Sequence, residues 1–183
     1  MAKKICILVG HGKSDKGGYD SEAVSIGGKY HEFQIAREIA KHAAEYLNCD
    51  IMNYEGNLTL RQRIKAVNSS DYDFIAEIHL NAGGGTGPEV YYYHDSPTGL
   101  KTAKAICKEI ASQFSVRNRG PKVKLGKNGK DYFGIIRDTK PCAILVETLF
   151  IDRVSDLKKI VSAEGQKKCG QAIGRALKQT LLK

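Results

Sequence analysis

The chain contains no tryptophan, only four prolines and two methionines, and five cysteines that never form a CxxC pair. Cys6, Cys49, Cys107, Cys142 and Cys169 are odd in number, scattered, and set mostly among apolar neighbours, which argues against a zinc knuckle, a dithiol redox motif or a disulfide scaffold. They read as reduced core thiols. No stretch approaches the roughly eighteen consecutive apolar residues of a membrane-spanning helix. The apolar run before His11 is five residues long, too short for the core of a secretory signal. The expectation is a soluble chain made in the cytoplasm without a signal peptide and without membrane insertion. No long Pro/Ser-rich linker and no internal repeat divides the sequence, so residues 1–183 read as one domain, with no separate wall- or ligand-binding module left over.

What is present suits a compact fold. Of the 183 residues, 42% are apolar, enough for a single core that buries about 70 per cent of the surface of the unfolded chain. Charge is uneven: nineteen of the 29 basic residues but only seven of the 20 acidic ones lie beyond residue 100. The densest stretch, Arg117 to Lys130 (RNRGPKVKLGKNGK), holds six basic residues, no acidic one and three glycines, and reads as a flexible cationic loop whose natural partner is a polyanion.

Apolar runs alternate with helical periods along almost the whole chain, which predicts an α/β domain with a mixed, mostly parallel central sheet of about six strands flanked by helices. Strands are expected at Lys4–Val9, Asp50–Tyr54, Asp73–His79, Glu89–Tyr93 and Cys142–Glu147, with Phe133–Arg137 as a weaker sixth. Helical spacing recurs through Ala36 to Leu47, Leu100 to Phe114 and Cys169 to Thr180. A fourth helix is expected over Leu58–Val67, capped by Asn57 or Thr59.

In an open α/β sheet, ligands gather at the carboxyl ends of the strands, so a polar residue ending an apolar strand is the first place to look for chemistry. Three stand out: KICILVG runs into His11, DFIAEIH ends on His79 with Asn81 just beyond, and CAILVE ends on Glu147. Glu32 comes just before the first helical pattern, where it can reach the same edge. Two imidazoles and a carboxylate match the donors of hydrolytic zinc, which keeps a further position for water. A second carboxylate at the end of a buried strand suffers desolvation, which raises its pKa toward the range useful for proton transfer. By spacing alone this set is far from the compact HExxH signature.

Four motifs then fall in order: Val9-Gly10-His11-Gly12, Tyr30-His31-Glu32, Ile78-His79-Leu80-Asn81-Ala82 and Leu145-Val146-Glu147-Thr148-Leu149-Phe150. With them the chain resembles, over nearly its entire length, the type 3 family of N-acetylmuramoyl-L-alanine amidases, and within it the catalytic domains of clostridial phage endolysins. The resemblance implies zinc held by His11, Glu32 and His79, with Glu147 catalytic. It implies cleavage of the amide between the lactyl group of muramic acid and L-alanine in peptidoglycan. Asn81 is a further substrate-binding candidate. A lysin of this kind acts on the wall after release from the cytoplasm, with peptidoglycan and anionic wall polymers as partners. Two positions depart from many relatives: Lys13 after the GHG turn and Glu77 two residues before His79.

Competing readings fit less well. Gly10-His11-Gly12-Lys13-Ser14 ends like a phosphate-binding loop, but the first glycine of that motif is Ile7 here, and Asp15-Lys16-Gly17-Gly18 continues as loop where a helix should start. A nucleic-acid-binding module using Arg117, Lys122 and Lys124 has no supporting helix-turn-helix, zinc-finger or RNA-recognition motif and leaves the strand-end histidines unexplained, so nucleic acid is not an expected partner. A zinc carboxypeptidase-like peptidase shares the metal chemistry. His42 and His94 read as surface residues, and His31 is the one alternative to Glu32.

Overall fold

The computed structural model describes residues 3–182, so the expected domain limits at 1 and 183 lie just outside it. Six strands, β1 (Ile5–Val9), β2 (Asp50–Met52), β3 (Phe74–Asn81), β4 (Glu89–Tyr92), β5 (Gly120–Lys122) and β6 (Cys142–Phe150), form one sheet in the order β2-β1-β3-β6-β4-β5. β2, β1, β3 and β6 run parallel, β4 is antiparallel to β6, and β5 is parallel to β4. Six helices surround it: α1 (Glu32–Leu47), α2 (Leu60–Asn68), α3 (Pro97–Phe114), α4 (Gly134–Asp138), α5 (Val154–Ile160) and α6 (Ala163–Leu181). None is long and apolar enough to cross a membrane.

Strand alternation divides the core in two. Ile5, Ile7 and Val9 of β1, Phe74, Ala76 and Ile78 of β3, and Ile144 and Val146 of β6 meet α1, α3 and α6 in the larger cluster. The residues between them, Cys6, Leu8, Ile75, Ala143 and Leu145, meet Val67 of α2 and Ile135 and Ile136 of α4 in a smaller cluster, with partly buried Ile64, Tyr91 and Phe133 packed against it. On the thick side α1 and α6 pack closely, because Gly170 of α6 has no side chain. A Cβ there would lie 2.5 Å from the Ile39 carbonyl oxygen. On the thin side the helices are short and leave part of the sheet uncovered at its carboxyl end.

Local signals explain most of the ends. Thr59, not Asn57, caps α2: its hydroxyl accepts from the Gln62 amide at 3.3 Å and the Gln62 side chain accepts from the Thr59 amide at 2.9 Å. Phe133–Arg137, expected as a strand, is instead a single helical turn, α4, and the sixth strand is Gly120–Lys122. The reason is burial: the adjacent residues Ile135 and Ile136 are both buried against the sheet, which the alternation of a half-buried strand does not allow. The basic segment is also more ordered than a flexible loop. After β5 it turns back on itself, with the Tyr132 amide donating to Lys124 O and the Gly126 amide to Lys130 O, both at 2.8 Å.

Candidate active site

β1 ends in a crowded turn. Gly10 sits under the His79 ring, where a Cβ would come within 2.3 Å of the imidazole. His11 follows in the left-handed region at φ 60°, a conformation that costs a non-glycine residue of order 1 kcal/mol and must be held by its surroundings. Arg63 of α2 donates to the His11 carbonyl at 2.6 Å, and the Asn53 amide donates to the carbonyls of His11 (2.6 Å) and Val9 (2.9 Å). The turn thereby points the His11 ring across the carboxyl end of the sheet toward His79 on β3, with ring centroids 4.8 Å apart.

Glu32 is the first residue of α1, with His31 in the N-cap position. It is buried, and its carboxylate lies between the two histidines: one oxygen is 3.1 Å from His11 Nε2 and the other 3.0 Å from His79 Nδ1. The backbone amides of Ala23 and Leu80 also donate to it. One donor atom from each of His11, Glu32 and His79 falls within 4.8 Å of the others, so two imidazole nitrogens and a carboxylate oxygen form a group that could hold a metal ion. His31 takes no part. It is half-exposed and pairs with Glu22 at 2.9 Å.

Each histidine has a carboxylate at its other nitrogen. His11 Nδ1 is 2.9 Å from Asp20, which also accepts from the Gly12 amide, and His79 Nε2 is 3.2 Å from Glu77. Such partners fix the tautomer of a metal-binding imidazole and raise its basicity. Glu77 is buried and faces Arg63, also buried, at an ion-pair distance of 3.3 Å, although the Arg63 Nε proton is not aligned for a hydrogen bond. Burial raises the Glu32 pKa, but hydrogen bonds from His11 and His79 outweigh that and hold it well below the usual carboxylate range. Burial likewise disfavours charged His79, yet Glu32 and Glu77 hold its pKa well above the ordinary value.

Glu147 stands beside this group. It is the cross-strand neighbour of His79 on one side and of Glu89 on the other, on the sheet face that also carries Glu77 and Asn81. Its Oε2 is buried with no hydrogen-bond partner. Burial raises its pKa to about 7, the charges of Glu32 and Glu89 add to this, and those of His79 and His11 oppose it. A carboxyl poised near neutrality takes and gives protons readily. Asn81 lines the same hollow, but its amide donates to Glu89 at 2.8 Å and its carbonyl accepts from the Ala82 amide. Glu89 is further held by Arg119 at 2.7 Å and by the Tyr91 hydroxyl at 3.1 Å.

His11, Glu32, His79, Asn81 and Glu147, expected from the sequence, lie together at one sheet edge, but the residues that orient them, Asp20, Asn53, Arg63, Glu77 and Glu89, were not expected in that part. For Glu77 a signal existed. Two residues before His79 on a strand, it must share that residue's face. For Asp20, nine residues along a glycine-rich loop, there was none.

An open α/β sheet whose carboxyl edge gathers two histidines, a bridging glutamate and a separate buried glutamate has the build of a hydrolase with a candidate metal site. The particular family follows from comparison: residues 5–179 match the Amidase_3 family model, N-acetylmuramoyl-L-alanine amidase, and the chain belongs to that family. It is 33% identical over 165 residues to the N-acetylmuramoyl-L-alanine amidase CwlM of Bacillus licheniformis, covering 87% of this chain and 61% of that protein. Among solved structures it is similar to Cwp6 from Clostridium difficile (33% identity, TM-score 0.86, 98% of this chain and 30% of that one). It is also similar to the catalytic domain of the CD27L endolysin targeting Clostridia difficile (29% identity, TM-score 0.75, 99% of each chain). The chain thus spans about three-fifths of CwlM and under a third of Cwp6.

Proposed function

We propose that this chain is the catalytic domain of a zinc-dependent N-acetylmuramoyl-L-alanine amidase, hydrolysing the amide between the lactyl group of muramic acid and L-alanine in peptidoglycan. The observation that carries this reading is the convergence of His11, Glu32 and His79 beside Glu147, whose inner oxygen has no partner. His11, through Nε2, Glu32, and His79, through Nδ1, are the residues that would hold the metal, and their donor types fit zinc. Bound there, zinc supplies a Lewis acid that polarises a carbonyl and lowers the pKa of water to about 7.

The protein's own groups account for the remaining steps. Asp20 and Glu77 hold the two imidazoles in the tautomers that leave Nε2 of His11 and Nδ1 of His79 free to bind. Glu147 takes a proton from the attacking water and passes it to the amide nitrogen, which otherwise leaves poorly as an amine. Asn81, fixed by Glu89, keeps one amide proton at the wall of the hollow for substrate.

The likeness to the CD27L catalytic domain supports a lytic, endolysin-type role, exerted on the wall after release from the cytoplasm, with the basic segment around Lys122–Lys130 binding anionic wall polymers. The deciding experiment measures new amino termini released from purified peptidoglycan and from simple peptides, before and after metal removal. Zinc-restored release of L-alanine amino termini from wall is expected, and peptide cleavage without it would make the chain a peptidase instead.

A further inference from the structure

Two hollows meet at the metal-binding edge and share only His11 and Asp20. The inner one, about 300 Å³, contains Glu32, His79 and Glu147 and is walled by apolar Leu60, Phe133, Ile135 and Leu145. The outer one, about 560 Å³, opens between the loop that follows His11 and the first turns of α1, and presents Tyr19, Phe33, Gln34, Arg37 and Glu55. The hydrolytic machinery uses the inner hollow and leaves the outer one without a role.

We propose that the outer hollow is the subsite for the muramoyl sugar, so that the substrate crosses His11 with its glycan over Tyr19 and its stem peptide on the Glu147 side. The inference rests on the amidase reading and adds an orientation to it. In the hydrolysis, the carbon–nitrogen bond breaks, hydroxyl from water ends on the lactyl carbonyl carbon, and the remaining water proton ends on the L-alanine nitrogen. Glu147 is the group that carries this proton, and it lines only the inner hollow. The nitrogen, and the peptide attached to it, must therefore lie there. The lactyl carbon and the pyranose that bears it then extend past His11 into the outer hollow.

The walls agree with that direction. Tyr19 is 72% exposed, an unusually open aromatic face, and with Phe33 it offers surface for the C–H face of a pyranose. Gln34, Arg37 and Glu55 supply donors and acceptors for hydroxyl and acetamido groups.

The test uses the zinc-loaded protein and its Tyr19→Ala and Arg37→Ala variants on three soluble substrates. These are N-acetylmuramoyl-L-alanyl-D-isoglutamine, the same compound with a longer stem peptide, and lactoyl-L-alanyl-D-isoglutamine, which keeps the scissile amide but has no pyranose. The variants should raise KM about tenfold for both muramoyl substrates, the scale of losing a well-packed side chain at a binding surface. They should match the parent on the lactoyl peptide. Equal losses on the lactoyl peptide would mean that the substitutions disturb the metal edge and not a sugar subsite. A loss confined to the benefit of the longer stem would reverse the orientation, and no change on any substrate would overturn the subsite. A parent enzyme that cleaves none of the three would instead sink the amidase reading itself.

Discussion

His79 is held between two carboxylates on opposite edges of its ring: Nδ1 lies 3.0 Å from Glu32 and Nε2 lies 3.2 Å from Glu77. Glu77 commits Nε2 to a hydrogen bond and so would leave Nδ1 for the proposed metal. Glu77→Gln is expected to weaken zinc binding by about 10- to 100-fold in a chelator competition. It should also lower the melting temperature, since buried Arg63 loses its counter-charge. Parental zinc affinity with a lowered melting temperature would confine Glu77 to neutralising Arg63.

The donor set itself is checked by elemental analysis. His11→Ala, Glu32→Ala and His79→Ala should each lose the zinc, since two remaining donors hold it poorly. His31→Ala should keep it, because that ring faces Glu22 and not the group. Zinc loss in His31→Ala with retention in Glu32→Ala would shift the assignment by one residue.

Glu147→Gln separates proton transfer from metal binding. Zinc content should stay at the parental level while turnover on a soluble muramoyl peptide falls by roughly 10² to 10⁴. The pKa shift adds a stability test on metal-stripped protein. Burial moves the Glu147 pKa from 4.5 up to about 7, so the fold holds a proton that the unfolded chain has released. The parent therefore loses stability as pH rises from about 4.5 through about 7. Glu147→Gln lacks that loss and should melt higher than the parent at pH 8 but not at pH 4; equal melting at both would contradict the buried, partnerless carboxyl.

His94 offers a second pH test away from the active site. Its Nδ1 is 2.7 Å from buried Asp131, which ties the end of the basic segment to the residues after β4. The hydrogen bond to Asp131 raises the His94 pKa, burial opposes it, and the charges of Asp95 and Asp131 add to the rise. The stabilisation is fully present below about 6.5 and is lost as pH climbs through the raised value. His94→Gln should thus lower the melting temperature at pH 5.5 and make little difference at pH 9.

The exposed lysines of the basic segment are tested by sedimentation with cell walls. Replacing Lys122, Lys127 and Lys130 with Gln should weaken wall binding at low salt and flatten its salt dependence. Turnover of a small soluble muramoyl peptide should be unaffected. Unchanged wall binding would leave these lysines as solubilising surface.

The sequence by itself determined the alternation of strands and helices and the residues on which the central strands end. An unbroken apolar run such as CAILV can only be a buried strand or a buried helix, and whatever polar residue follows it lies at the edge of the core. His11, His79 and Glu147 were legible for that reason, and Glu32 because it opens a helical period. What only the tertiary structure decided is everything that depends on pairing between distant segments. The order β1-β3-β6-β4 places Glu147 between His79 and Glu89, and it is set by which faces pack together, not by any local preference. The same holds for α4, where two adjacent isoleucines prefer a strand in isolation but are both buried only in a helical turn. It holds for the choice of ring nitrogen at each histidine, because Asp20 reaches His11 from a loop and Glu77 is fixed against Arg63 from a different element. Hydrogen bonds of this kind are directional, and their direction is fixed only once packing has placed both partners.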